Sequence, residues 1–112
     1  MKLLTKEIMK RLPILGETSA TPLKDKIALV KFFDPCGAYT FWIVEGEEED
    51  GDTTLWGYVT FGDPDCAEFG YSSLNEISAV KNRFGLGIER DLHWSPRKLS
   101  EIPEIKIYDE ED

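Results

Sequence analysis

The chain has 112 residues, 41% of them hydrophobic, with six Phe, four Tyr and three Trp, as expected of one folded domain rather than a disordered chain. Its formal net charge is −9 and it has no run of 18 apolar residues, so we expect neither direct nucleic-acid binding nor a membrane span. The charged N-terminal residues do not fit a secretory signal, which favours a cytoplasmic protein. We predict one domain over residues 1–108 and an acidic tail over residues 109–112.

The first predicted element is a short helix over residues 5–12. Thr5 is a candidate N-cap, and Ile8 and Leu12 lie four residues apart, as on the apolar side of a helix. The prolines and small polar residues of positions 13–25 are typical of a connector without regular structure.

Four segments rich in β-branched and aromatic residues follow, and they are typical of β-strands. They cover residues 26–33, 38–45, 53–61 and 67–71. The turn sequences between them, including DPCG at 34–37 and Asp50-Gly51, are short. Loops this short join antiparallel neighbours, so the pattern predicts a meander.

A second helix is predicted over residues 73–80, where Ser73 and Glu76 have capping-box spacing. Residues 91–94 are expected to add a short edge strand. The fold class is therefore α+β: a small antiparallel meander sheet of four to five strands, with an N-terminal helix and a second helix after strand four. We expect both helices to cover one face of the sheet and to leave the other, aromatic face partly open.

The acidic residues are unevenly distributed along the chain. Residues 45–68 contain nine acids and no base, whereas the other 13 acids are balanced by 13 bases. The excess negative charge is therefore concentrated near one predicted hairpin. This favours a partner protein with a basic surface and disfavours direct contact with nucleic acid.

The hairpin sequence EGEEEDGD contains six carboxylates and has three interpretations. The first interpretation is a metal site. A calcium-binding loop needs a glycine and a final Glu at fixed positions, and neither is in register here, so we predict no metal and no cofactor. A looser divalent-cation site is the alternative. The carboxylates could also form a solvated turn that protects a strand edge from aggregation. The third interpretation is a partner-binding surface formed by Glu45, Glu47, Glu48, Glu49, Asp50, Asp52, Trp42 and Trp56.

The segment IERDLHW contains the only histidine of the chain. In an extended segment Glu89, Asp91 and His93 would lie on one face. From there they could bind one metal ion and support phosphodiester cleavage. The structural interpretation is an ion pair between Arg90 and a nearby carboxylate, with His93 capping or packing. Arg90 and Asp91 would then tie the last segment to the sheet.

The two cysteines, Cys36 and Cys66, each follow an Asp-Pro turn at the same end of the predicted meander. A structural zinc site needs four ligands, and Cys36, Cys66 and His93 leave one position vacant, so we do not predict zinc. We expect free thiols, with a disulfide between them as the alternative.

Several segments of the chain resemble one known family. The segments LLTKEIMKRLP, VKFFDPCGAYTFWIVEGEEEDGD, WGYV, GYSSLNEI and GLGIERDLHWSP occur in this order. Together they resemble a family of small prokaryotic proteins, common on plasmids, phages and other mobile elements, that is classed only as a domain of unknown function. The resemblance covers roughly residues 3–101, and some members carry a label that suggests a single-stranded DNA endonuclease. The family pattern is matched at Glu45, Glu49, Asp50, Gly51, Asp52, Gly70, Tyr71, Leu74, Glu89, Arg90, Asp91 and Leu92.

These observations predict a non-catalytic, acidic protein-binding module. In its sharper form the protein is a mobile-element inhibitor that presents carboxylates where a host nucleic-acid-binding protein expects phosphates. The alternative is a metal-dependent single-stranded nucleic-acid endonuclease or hydrolase that uses Glu89, Asp91 and His93.

Overall fold

The structure is a computed structural model that describes residues 2–63 and 65–107. It has a mixed α+β fold with antiparallel strands, which confirms the predicted class. The predicted acidic tail, residues 109–112, lies outside the described residues. Within the described part of the chain, no helix is long and apolar enough to cross a membrane.

Two helices of six residues each are present in these ranges. Helix α1 spans Lys6–Arg11 and helix α2 spans Leu74–Ala79. A hydroxyl group caps each helix: Thr5 Oγ1 accepts a hydrogen bond from Ile8 N, and Ser73 Oγ accepts one at the start of α2. Helices this short are not stable in isolation, so both depend on packing against the sheet.

Seven strands are described: β1 Ile27–Ala28, β2 Val30–Phe33, β3 Thr40–Glu49, β4 Asp52–Thr60, β5 Ala67–Ser73, β6 Glu89–Arg90 and β7 Arg97–Lys98. The main sheet has the spatial order β5–β4–β3–β2–β6, in which β2 to β5 form the expected meander. Strands β1 and β7 form a separate antiparallel pair.

The edge strand was predicted at residues 91–94, and this prediction is wrong. The edge strand is β6, and the chain turns directly after it. Asp91 causes the turn, because its side chain accepts a hydrogen bond from His93 N (2.9 Å) and its carbonyl accepts one from Trp94 N (3.2 Å). Such local bonds from an Asp side chain to the backbone compete with extended structure.

Apolar residues of both helices pack in one core layer with the central strands of the main sheet. Ile8 and Met9 of α1 and Ile77 of α2 contact the apolar side chains of the central strands there. The buried residues of this layer are Leu3, Leu4, Leu12, Val30, Phe32, Phe41, Ile43, Leu55, Val59, Ile77 and Ile88. Burial of this layer is what holds the helices to the sheet.

The opposite, aromatic face was expected to be partly open, but its centre is covered by the end of the chain. A 3₁₀ turn over Leu99–Glu101 leads into Ile102 and Ile105, and these apolar residues pack on Trp42 and Tyr58. The spacing of three residues places all the apolar side chains on the sheet side. Trp42 and Tyr58, whose rings could have formed a binding surface, therefore belong to a second core layer.

The two cysteines are both free thiols and both exposed, so the alternative of a disulfide does not occur in this structure. Cys36 lies in the DPCG turn, in which Gly37 N donates a hydrogen bond to Asp34 O (2.8 Å). The Asp34 side chain accepts a hydrogen bond from Cys36 N (2.9 Å) and a second from Asn82, and both bonds lower the pKa of Asp34.

Candidate functional site

The acidic segment forms the hairpin that joins β3 to β4. The last pair of residues is Glu49 opposite Asp52, and the loop between them is Asp50-Gly51 alone. Both loop residues have positive φ, 54° and 82°. This is the geometry of the tight turn that suits the right-handed twist of a hairpin, and Asp and Gly are among the residues that tolerate it. The carboxylates on either side of the loop therefore meet at one narrow tip.

The register of the hairpin determines which face each carboxylate occupies. A β-bulge shifts the register of β3 between Ile43 and Glu45. Beyond the bulge Glu45 lies opposite Trp56, and Glu47 lies opposite Thr54. Directly opposed residues point to the same face of a sheet. Glu45 and Glu47 consequently lie on the Trp56 side, and the neighbouring Glu48 lies on the other side.

Glu45 is only 5% exposed, and its carboxylate binds the chain's own connector. It accepts hydrogen bonds from Gly16 N (2.8 Å), Thr18 N (3.0 Å) and Thr18 Oγ1. Burial alone would raise the pKa of Glu45, but these hydrogen bonds and the nearby Lys26 outweigh burial and lower it. Glu45 was predicted to contact a partner, but its contacts assign it to the structure of the domain.

Asp52 is also bound by its own chain. Its carboxylate accepts hydrogen bonds from Ser73 Oγ (2.5 Å), Asn75 N (3.0 Å) and Thr53 N (2.7 Å). These bonds, that from Ser73 foremost, lower the pKa of Asp52. The side chain joins the hairpin to the start of α2, so we do not include it in the surface available to a partner.

The other four carboxylates, at positions 47 to 50, remain without a counter-charge. Glu48, Glu49 and Asp50 are exposed, and Glu47 is half-buried. Within residues 2–63 and 65–107 none of the four takes part in an ion pair. Their negative charge is therefore not balanced at the tip, and it faces solvent.

Two aromatic rings lie on the same face of the sheet as Glu47. Trp56 is half-buried and stacks on Phe69, with 5.6 Å between the ring centroids. Tyr71 lies directly opposite Trp56 in β5, on the same face, and is 70% exposed. Tyr71 was not predicted as a site residue, although the alternation of β5 would have placed it beside Trp56 once the strand register was known.

Trp42 was predicted to contact a partner, but it does not lie on the surface. It is 1% exposed and packs against Tyr58, with 6.0 Å between the ring centroids. The residues that remain accessible at this end of the sheet are defined here as the acidic-aromatic surface: Glu47, Glu48, Glu49, Asp50, Trp56 and Tyr71.

A metal site was the alternative interpretation of two acidic segments. Among the described residues, no group of three or more His, Cys, Asp or Glu side chains is arranged to hold a metal ion. Asp91 lies 4.0 Å from Lys31 Nζ and also accepts the hydrogen bond from His93 N. Glu89 lies in β6 opposite Phe33. The structure therefore does not bring Glu89, Asp91 and His93 together as metal ligands.

Arg90 holds the N-terminal segment through two backbone carbonyl groups, a contact that was not predicted. Its Nη1 donates hydrogen bonds to Lys2 O (2.7 Å) and Leu3 O (3.0 Å). Leu3 and Leu4 are both 5% exposed, so these bonds fix two buried leucines against the helix-covered face.

Replacing Arg90 with alanine should lower the free energy of unfolding by about 1–3 kcal/mol, because two carbonyl groups lose a charged donor. Urea unfolding followed by circular dichroism measures the change. Arg83→Ala removes the same charge from an exposed loop position and serves as the control. Equal unfolding midpoints for the two variants would contradict the role given to Arg90.

The fold and the site define a small antiparallel α+β protein with a tightly turned acidic hairpin. The chain belongs to the family described as "Protein of unknown function (DUF2958)", whose model matches residues 3–105. This confirms the resemblance to a domain of unknown function. No curated protein matches the chain, and no solved structure matches it.

Proposed function

We propose that the protein is a non-catalytic binding module whose acidic-aromatic surface holds a partner protein with a basic surface. One observation carries the proposal: four carboxylates without a counter-charge lie at the tip of the hairpin that carries Trp56, and the exposed Tyr71 lies opposite Trp56 in the next strand. The proposed surface is smaller than the one expected from sequence, because Glu45, Asp52 and Trp42 serve the fold.

The two parts of the surface would contribute differently to binding. The carboxylates at the tip would steer a basic partner and select its orientation, an effect that salt weakens. Tyr71 and Trp56 would supply contact area, because aromatic residues at the centre of an interface carry much of its binding energy. Tyr71 is suited to this role because its ring has a polar end and is 70% exposed.

The sharper form of the proposal is that the partner is a nucleic-acid-binding protein of a host cell. The carboxylates would then occupy the positions of phosphates in that protein's basic groove, and the protein would act as an inhibitor encoded on a mobile element. In this form nucleic acid competes with the protein for the partner, and an excess of DNA or RNA displaces it.

The proposal is tested by capturing the partner protein from a lysate of the cells in which this protein occurs naturally. The bait proteins are the wild type, a tip variant with Glu48→Gln, Glu49→Gln and Asp50→Asn, and a control with Glu7→Gln, Glu76→Gln and Glu104→Gln. Both variants lose three negative charges, and every substituted side chain is exposed. We expect the wild type and the control to retain the same partner at low salt and the tip variant to lose it.

Two further measurements separate the parts of the surface. Retention should fall as the salt concentration rises, because exposed charges are screened. Tyr71→Ala should weaken retention at every salt concentration, because its contribution is apolar. A partner retained equally by the wild type, the tip variant and Tyr71→Ala would contradict the proposal.

A further inference from the structure

A cleft that is separate from the acidic-aromatic surface lies between α1 and the segment that follows β6. It consists of two adjoining cavities of about 420 Å³ and 260 Å³. Arg11, Leu29 and Pro96 line both cavities, so the two lie next to each other. Volumes in this range suit a small organic molecule.

The walls of the cleft combine apolar and cationic groups. Leu29 and Val44 belong to the walls of the larger cavity, and Ile8 and Val30 to those of the smaller. Ile8 and Arg11 are three residues apart in α1, and such residues are neighbours on one side of a helix. The helix thereby places an apolar side chain and a guanidinium group together at the cleft.

The charges that line the cleft leave Arg11 without a counter-charge. Two lining carboxylates are already paired: Asp91 with Lys31 at 4.0 Å, and Asp25 with Lys98 at 3.7 Å. The remaining cation that lines the cleft is Lys26, and its charge lies near the buried carboxylate of Glu45. Arg11 is exposed, and it takes part in no ion pair within the described residues.

Arg90 lines the smaller cavity with Arg11, and its position is fixed. Its Nη1 donates to Lys2 O and Leu3 O, and these two bonds hold the side chain in place. Arg11 lines the same cavity and is exposed, and guanidinium groups bind carboxylate and phosphate oxygens with two parallel hydrogen bonds.

We propose that this cleft binds a small organic anion. Arg11 would hold a carboxylate or phosphate group, and the apolar body of the ligand would lie against the half-buried side chains of Ile8 and Leu29. The site differs from the acidic-aromatic surface in its residues and in the sign of its charge, so its existence does not depend on the proposed function.

Titrations of the full-length protein with three small probes test the site. The probes are phenyl phosphate, benzoate and benzyl alcohol, which share an aromatic body and differ in the charged group. Amide and indole NMR signals report binding, and the Trp94 indole is suited because its N–H donates to Ala28 O and its ring lines the smaller cavity. We expect both anions to shift the signals of Trp94 and Leu29, and benzyl alcohol to bind at least about tenfold more weakly. The tighter of the two anions identifies the group that the cleft prefers.

Two variants with the same change in charge complete the test. Arg11→Gln should weaken binding of the tighter anion at least about tenfold, because it removes a charged donor. Lys10→Gln lies in the same turn of α1 but lines neither cavity, so it should bind like the wild type. The proposal is overturned if neither anion shifts these signals at about 10 mM, a concentration adequate for fragment-sized ligands. It is also overturned if Arg11→Gln binds as tightly as Lys10→Gln.

Discussion

Replacing Gly57 with alanine is expected to lower the free energy of unfolding by about 3 kcal/mol or more, the largest effect of any single substitution considered for this protein. A Cβ atom at position 57 would lie 1.9 Å from Trp42 O and 2.9 Å from Trp42 C. Both are backbone atoms of the neighbouring strand, so no side-chain rotation relieves the clash. The methyl group would fit only if β3 and β4 separated, which breaks hydrogen bonds at the centre of the sheet.

Gly70→Ala is the matched control for this substitution. Gly70 lies directly opposite Gly57 in the register of β4 with β5, and a Cβ atom there would meet no heavy atom within 4 Å. Alanine restricts the unfolded chain more than glycine does, so this variant should equal or exceed the wild type in stability by up to about 1 kcal/mol. Urea unfolding of both variants measures the contrast. Equal stabilities of the two would show that the pairing of β3 with β4 at Gly57 is wrong.

Replacing Glu45 with glutamine is expected to lower the free energy of unfolding at neutral pH by about 2–3 kcal/mol, because a buried carboxylate that accepts three hydrogen bonds becomes an amide. The amide has one acceptor oxygen and places its NH₂ group toward donors from Gly16 or Thr18. Glu48→Gln removes a charge from an exposed position of the same strand and should change stability by no more than about 0.5 kcal/mol.

The effect of Glu45 should depend on pH in a defined direction. The pKa of Glu45 is lower in the folded protein than its ordinary value of 4.5. The ionised carboxylate therefore stabilises the fold fully above the ordinary pKa, and this contribution is lost as the pH falls through the lower, folded pKa. The difference in stability between the wild type and Glu45→Gln should be largest near neutral pH and shrink on acidification below 4.5. A difference that stays constant with pH, or that equals that of Glu48→Gln, would contradict the structural role.

Features set by neighbouring residues could be predicted from the sequence. The Thr5 cap, the DPCG turn and the Asp50-Gly51 loop each depend on side chains within a few positions of one another. The meander followed from these turns, because strands joined by short loops pair with their neighbours. The concentration of charge at the hairpin was also visible, because it is a property of one continuous segment.

Features set by distant residues could not be predicted in this way. Glu45 and Glu48 look alike in the sequence, and only the connector at Gly16 and Thr18, more than 25 positions earlier, buries one of them. The burial of the aromatic face likewise depends on the position of the segment after β7, which packs on that face. The regular spacing of Leu99 and Ile102 was the available signal for it.

The measurement that tests the central proposal most directly is the affinity of the captured partner at several salt concentrations, for the wild type, the tip variant and the charge-matched control. We expect the wild type and the control to lose affinity in parallel as salt rises from about 50 mM to 200 mM. The tip variant should bind at least about tenfold more weakly at low salt and depend less on salt, since it lacks the charges that steer the partner. Identical affinities and salt dependences for the wild type and the tip variant would contradict the proposal that the hairpin tip is the binding surface.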